Sequence, residues 1–109
     1  MTKPLLSIII PAHNEERRLP QTLEQVVNFI SKQPFETEIL VIENASKDRT
    51  FQVGCEFASR NPMVRVIHLD LPGKGRAVQK GILEANGTYR FFADADFSMP
   101  PEELIRFIP

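Results

Sequence analysis

Four short apolar runs, each followed by a stretch of helical period, leave this chain few ways to fold. The first is Leu5-Leu6-Ser7-Ile8-Ile9-Ile10, rich in β-branched side chains and stopped by Pro11. After it, Leu19, Leu23, Val26, Val27 and Ile30 fall on one face of a helix, with Pro20 in the first turn, where a missing N–H is tolerated. The second run, Glu38-Ile39-Leu40-Val41-Ile42, leads through the polar Asn44-Ala45-Ser46-Lys47-Asp48 into a helix near Arg49 to Ser59. Val53, Phe57 and Ala58 belong to its buried stripe, and Asn61-Pro62 ends it. The third run covers Val64 to Leu69 and turns at Leu71-Pro72-Gly73-Lys74-Gly75. Ala77, Val78, Gly81, Ile82 and Ala85 then share a helical face, with Asn86-Gly87 as the expected left-handed stop. The fourth, Tyr89-Arg90-Phe91-Phe92-Ala93, ends in Asp94-Ala95-Asp96, and Pro100-Pro101-Glu102-Glu103 reads as the start of a further helix.

Strands alternating with helices at this spacing pair in parallel through right-handed crossovers. Near-continuous apolar strands suit a sheet covered on both faces. The predicted fold is therefore α/β: a doubly wound, mostly parallel sheet of about four strands with flanking helices. A length of 109 residues accommodates one domain, and no repeat or low-complexity linker divides it.

Charge and cysteine content narrow the function. Thirteen basic residues against 14 acidic ones give a net charge of −1, which argues against nucleic acid as a partner because that needs a basic surplus on one face. A single cysteine, Cys55, excludes an internal disulfide or a cysteine-based zinc cluster; sitting mid-helix, it is expected to be a small buried hydrophobe. The longest apolar run is far short of the roughly 20 residues of a membrane span and too short for a signal-peptide core. The expected setting is cytoplasmic.

Ligands of open parallel sheets bind beyond the carboxyl ends of the strands, so the residues just after each run carry the functional reading. Asp94 and Asp96, at i and i+2, point to one side and suit a hard divalent cation such as Mg²⁺ or Mn²⁺ held together with diphosphate oxygens, or else an acidic turn capping the next helix. Glu15 and Glu16, taken alone, read as solvated charge in a first helical turn rather than as ligands. Glu43 and Asn44 fit a turn, or offer an oxygen to the N–H of a base. Ser46 and Asp48 are read as helix caps. Gly73-Lys74-Gly75 fails the P-loop spacing, since His68 stands where its first glycine belongs, and fails the dinucleotide fingerprint at Val78. Its glycines are expected to permit a tight turn, with Lys74 either near an anion at the helix start or solvated. His13 and His68 are read as singletons, with no serine or cysteine partner at a usable spacing.

Taken together, the four strand ends resemble the nucleotide-sugar-binding half of the GT-A inverting glycosyltransferases of family 2, and within it the enzymes that transfer a hexose to dolichyl or polyprenyl phosphate. The segments that carry the resemblance are Ser7 to Glu16, Glu43 to Thr50, Gly73 to Val78 with Gly81, and Ala93 to Ser98 with Pro100, in family order. The resemblance implies a Rossmann-like half of a GT-A fold, with Pro11, His13 and Glu15 lining the nucleotide and Glu43, Asn44 and Lys74 beside it. It implies Asp94 and Asp96 as the metal pair, Asp94 also touching the nucleotide. Arg18-Leu19-Pro20 and Asp94-Ala95-Asp96-Phe97-Ser98 look like the glucosyl branch, which favours UDP-glucose over GDP-mannose. One departure stands out: the family's two aspartates and Gly-Ser are here Glu43-Asn44 and Ala45-Ser46.

The implied activity is transfer of a hexose from a nucleotide-sugar with inversion, with a polyprenyl phosphate as a possible acceptor. The expected organisation is residues 1–109 as the donor-binding part, truncated before the acceptor side. In a longer protein the setting becomes the cytoplasmic face of a membrane. The alternative is a non-catalytic nucleotide-sugar-binding or interaction module, self-associating through an exposed apolar face of Leu104, Ile105 and Phe107. A sugar-nucleotide pyrophosphorylase is disfavoured because Pro11 to Glu15 contains no glycine.

Overall fold

The computed structural model describes residues 3–93. Along the chain run β1 (Leu6–Ala12), α1 (Arg18–Ile30), β2 (Thr37–Asn44), α2 (Thr50–Arg60), β3 (Val64–Leu69), α3 (Lys74–Glu84) and β4 (Tyr89–Phe92). All pairings are parallel, in the spatial order β3-β2-β1-β4. The doubly wound sheet expected from the sequence is what forms.

Alternation along the strands sorts the side chains to two faces. Leu6, Ile8 and Ile10 of β1 and Ile39 and Val41 of β2 pack with Leu19, Leu23 and Val26 of α1 on one face. Ile9 of β1 and Leu40 and Ile42 of β2 pack with Ala77 on the other, under α3. The α3 helix comes close enough that a Cβ on Gly81 would lie 2.3 Å from the Ile9 Cγ2. Beneath it, Glu38 accepts hydrogen bonds from the Ser7 hydroxyl (2.6 Å) and the Asn86 N–H (2.5 Å), and the Ser7 Oγ accepts the Gly87 N–H (2.8 Å). This partly buried polar network ties the segment before β4 to β1 and β2.

Several boundaries differ from expectation. Pro11 does not stop β1, which continues through it to Ala12 in register with Glu43. The Ile9 carbonyl accepts the Ala93 N–H, so by alternation the donor that Pro11 lacks would also face the β4 side, beyond Phe92, the last residue of that ladder. Asn86-Gly87 is not a left-handed stop; Ala85 leaves the helix with extended backbone. Gly87 is needed instead for close approach, since a Cβ there would sit 2.7 Å from the Ser7 backbone nitrogen. The positive φ belongs to Gly73, at +134°, immediately before α3. Ile82 is 40% exposed rather than part of the α3 core face. Cys55 is exposed, because α2 buries Thr50 and Gly54 and turns its 55–56 side to solvent. The expected fourth helix and the apolar face of Leu104, Ile105 and Phe107 lie outside the described residues.

Candidate functional site

In a parallel sheet every strand ends at the same edge, and here β1 and β4 lie side by side while their connecting helices leave to opposite faces. Crossover α1 covers one face on the way to β2, and α3 covers the other on the way to β4. The strand order reverses at β1, the kind of switch point beyond which open parallel sheets take their ligands. Pro11 lies near the end of β1, His13 follows that strand, and Ala93, the last described residue, follows β4.

The loops after β1 and β2 are locked into one platform. The His13 Nδ1–H donates to the Asn44 carbonyl at 2.6 Å, which leaves its Nε2 to accept from the Asn14 amide at 3.2 Å. Asn14, with φ +53°, donates its N–H to the Ser46 hydroxyl (3.0 Å) and accepts the Lys47 N–H on its side-chain oxygen (2.8 Å). Glu15 donates its N–H to the buried Thr50 hydroxyl at 2.8 Å, and Glu16 donates its own to Asp48 at 3.3 Å. Asp48 also accepts the Thr50 N–H and hydroxyl, closing an Asx turn just before α2, whose own N-cap, Arg49, makes no side-chain capping bond. Ser46 is not a cap but the bridge between the two loops. Burial works to raise the Asp48 carboxyl, and the hydrogen bonds from Thr50 and Glu16 outweigh it, holding the group below its ordinary value.

Glu43 and Asn44, expected together in a turn, are the last two residues of β2 and face opposite sides of the sheet. Glu43 is 1% exposed on the α2 side. One carboxylate oxygen accepts from the His68 Nδ1 and the other accepts the Ser46 N–H at 2.7 Å. His68, its register partner on β3, gives its Nε2–H to Asp70 at 2.8 Å and packs edge-on against the Phe51 ring of α2. The expectation of a singleton was wrong for His68. A carboxylate on each nitrogen favours the doubly protonated imidazolium. Hydrogen bonds to Glu43 and then Asp70 hold its pKa above the ordinary 6.5. Burial pushes the Glu43 carboxyl up, and the hydrogen bonds from His68 and Ser46 overcome that, leaving it lowered.

Asn44 is 3% exposed on the α3 side, and its side-chain oxygen has no hydrogen-bond partner among the described residues. Such a group is costly unless something pairs with it. Lys74 is exposed and opens α3 on that same side. Asp94 and Asp96 follow Ala93 in sequence and lie outside the described residues. Among the described residues, no three His, Cys, Asp or Glu side chains gather as a metal site. Asn14, Thr50 and the His68–Glu43 contact were missed from sequence. The last had a faint signal, since each residue stands one place before the end of its strand.

With this geometry in place, comparison with known proteins becomes decisive. The family model described as "Glycosyl transferase family 2" matches residues 7–109. The chain belongs to glycosyl transferase family 2. Among curated family members, a dolichyl-phosphate beta-glucosyltransferase of Drosophila melanogaster is 37% identical over 99 residues, covering 84% of this chain and 30% of that protein. An undecaprenyl-phosphate 4-deoxy-4-formamido-L-arabinose transferase of Proteus mirabilis is 30% identical, covering 94% and 32%. The chain thus spans about 30% of the length of these family 2 relatives. Among solved structures, a mannosyltransferase from Pyrobaculum calidifontis, in complex with GDP-Man and Mn²⁺, superimposes with a TM-score of 0.73 at 24% identity, covering 88% of this chain and 28% of that one. S. aureus TarS with UDP-GlcNAc gives 0.66 at 28% identity, covering 94% and 29%. The parallel sheet with flanking helices is the fold these structures share with the chain.

Proposed function

We propose that this chain is the donor-binding part of a glycosyltransferase that moves a hexose from a nucleotide-sugar, UDP-glucose before GDP-mannose, to a polyprenyl or dolichyl phosphate with inversion. The observation that carries the reading is the platform in which the β1 and β2 loops are tied together beside the β1/β4 switch point of the sheet. The names of the relatives, dolichyl-phosphate glucosyltransferases prominent among them, favour glucose and a lipid phosphate.

Pro11, His13 and Glu15 line the nucleotide in this reading. Asn44 supplies an oxygen that accepts a base N–H, which would give its orphaned acceptor a partner. Glu43, both of whose oxygens are engaged, supports the Asn44 turn from behind. Lys74, at the start of α3, sits on the side of the diphosphate. Asp94 and Asp96 hold Mg²⁺ or Mn²⁺, a choice in keeping with the Mn²⁺ of the Pyrobaculum neighbour. The metal supplies positive charge against the nucleoside diphosphate leaving group. A phosphate acceptor is already ionised and attacks the anomeric carbon without a general base. The acceptor side belongs to parts of the full-length enzyme outside this stretch, which works at the cytoplasmic face of a membrane. Among the described residues, no helix is long and apolar enough to cross one.

Titration calorimetry of the 109-residue chain with UDP-glucose and with GDP-mannose, with and without Mn²⁺, tests the reading. UDP-glucose should bind more tightly, and only with metal. Absence of binding by either donor refutes the donor site, and binding indifferent to Asp94→Ala refutes the metal role.

A further inference from the structure

The β2 loop contains a backbone conformation that needs external support. Ala45 has φ +51°, a left-handed geometry that an L side chain resists, at the place where the family pattern has glycine. What holds the turn is visible on both sides of it. The Ser46 N–H is fixed by Glu43 and the Ala45 N–H donates to the Leu69 carbonyl at 2.9 Å. Glu43 is in turn fixed by His68, which Asp70 grips from its far side. From Ser46 the chain of contacts runs to Asn14, then His13, and back to the Asn44 carbonyl.

We propose that His68 is a positioning residue of the donor site: as an imidazolium it pins the buried Glu43 carboxylate and thereby holds the strained Ala45-Ser46 turn that presents Asn44. The inference rests on the donor-binding reading for its functional consequence, but the holding of the turn can be tested without it. A neutral His68 can donate to only one of its two carboxylates, so the charged form holds both. The charged groups facing His68 among the described residues are Glu43 from β2 and Asp70 after its own strand, and α2 contributes only the uncharged Phe51 ring. His68 is about half exposed, with 45% of its side chain accessible, so protons from solvent reach it.

The sign follows from the raised pKa of His68. The support is complete below the ordinary value of 6.5 and weakens as pH rises through the folded-state value, where His68 loses its charge and one of its two donors. The test uses the ¹⁵N-labelled 109-residue chain. Histidine ring nitrogens and the backbone amides of Ser46 and Asn14 are followed by NMR from pH 5 to 9, in parallel with calorimetry of UDP in the presence of Mn²⁺. The amides of Ser46 and Asn14 should shift along the His68 titration curve. UDP affinity should fall about tenfold across the same range. His68→Gln should remove that pH dependence and bind UDP weakly throughout, and adding Ala45→Gly should restore affinity by removing the strain. Amides that ignore the His68 titration overturn the inference, whether or not UDP binds. So does UDP affinity in His68→Gln that keeps the parent's pH profile. Amides that follow His68 in a chain that binds no nucleotide support the holding of the turn and overturn the donor reading instead.

Discussion

Two glycines of α3 make opposite demands on the same substitution. Gly75 has nothing within 4 Å of where a Cβ would stand, whereas at Gly81 the new atom would lie 2.3 Å from the Ile9 Cγ2 and 3.1 Å from its Cγ1. Alanine is favoured over glycine in a helix by about 1 kcal/mol, so Gly75→Ala should stabilise by up to about that amount, less because it lies in the first turn. At Gly81 the same gain meets a clash more than 1 Å inside the ordinary carbon–carbon contact of about 3.5 Å. Ile9 is fully buried in β1, between β2 and β4, and has no free side to turn to. Relief requires an off-rotamer Ile9 or a helix lifted from the sheet, an overpacking cost of about 1–3 kcal/mol. With so large an overlap the upper part of that range applies, and Gly81→Ala should be destabilised by about 1–2 kcal/mol after the helix gain is subtracted. Urea unfolding followed by circular dichroism, on both variants and the parent, reads the two signs directly. In an Ile9→Ala background the Cγ clashes are gone and only the 3.3 Å approach to the Cβ remains, so Gly81→Ala should become neutral or stabilising, and the double-mutant cycle should show coupling of about 1–3 kcal/mol. A Gly81→Ala variant at least as stable as the parent, or strict additivity with Ile9→Ala, would refute the packing argument.

Other consequences follow from the loop platform and the helix faces. Thr50→Val keeps the shape of a fully buried side chain but removes the acceptor for the Glu15 N–H and the donor to Asp48; it should cost about 1–3 kcal/mol in urea unfolding. Glu43 and Asp48, both lowered from ordinary values of 4.5 and 3.8, contribute stability above those values that is lost as pH falls through their folded-state values. The urea midpoint should therefore decline on acidification, and the decline should be shallower in Glu43→Gln with Asp48→Asn; an unchanged slope would contradict the assignment. Cys55 should react with a thiol reagent at full stoichiometry in the folded chain. Labelling only after denaturation would show that α2 packs by a different face.

The sequence determined the layout because a strand and a helix bury side chains with different periods, and those periods are written locally. Runs such as Leu5 to Ile10 and Ile39 to Ile42, and the face of Leu19, Leu23 and Val26, needed no distant information to be read. The same holds for the tight turn at Gly73, where a proline–glycine pair restricts the backbone on its own. What the sequence left open was every property set by register. Parallel pairing aligns Glu43 with His68, 25 residues apart, and sends Asn44 to the other face one residue later. Without that alignment, two polar residues in a row look like one turn, and two histidines look like singletons. Cys55 shows the same limit, since an exposed and a buried helix face are distinguished only once the partner surface is in place. Tertiary structure decided these points because a charge becomes a partner, or a methyl an obstacle, through distances of 2–4 Å that only packing of the whole sheet creates.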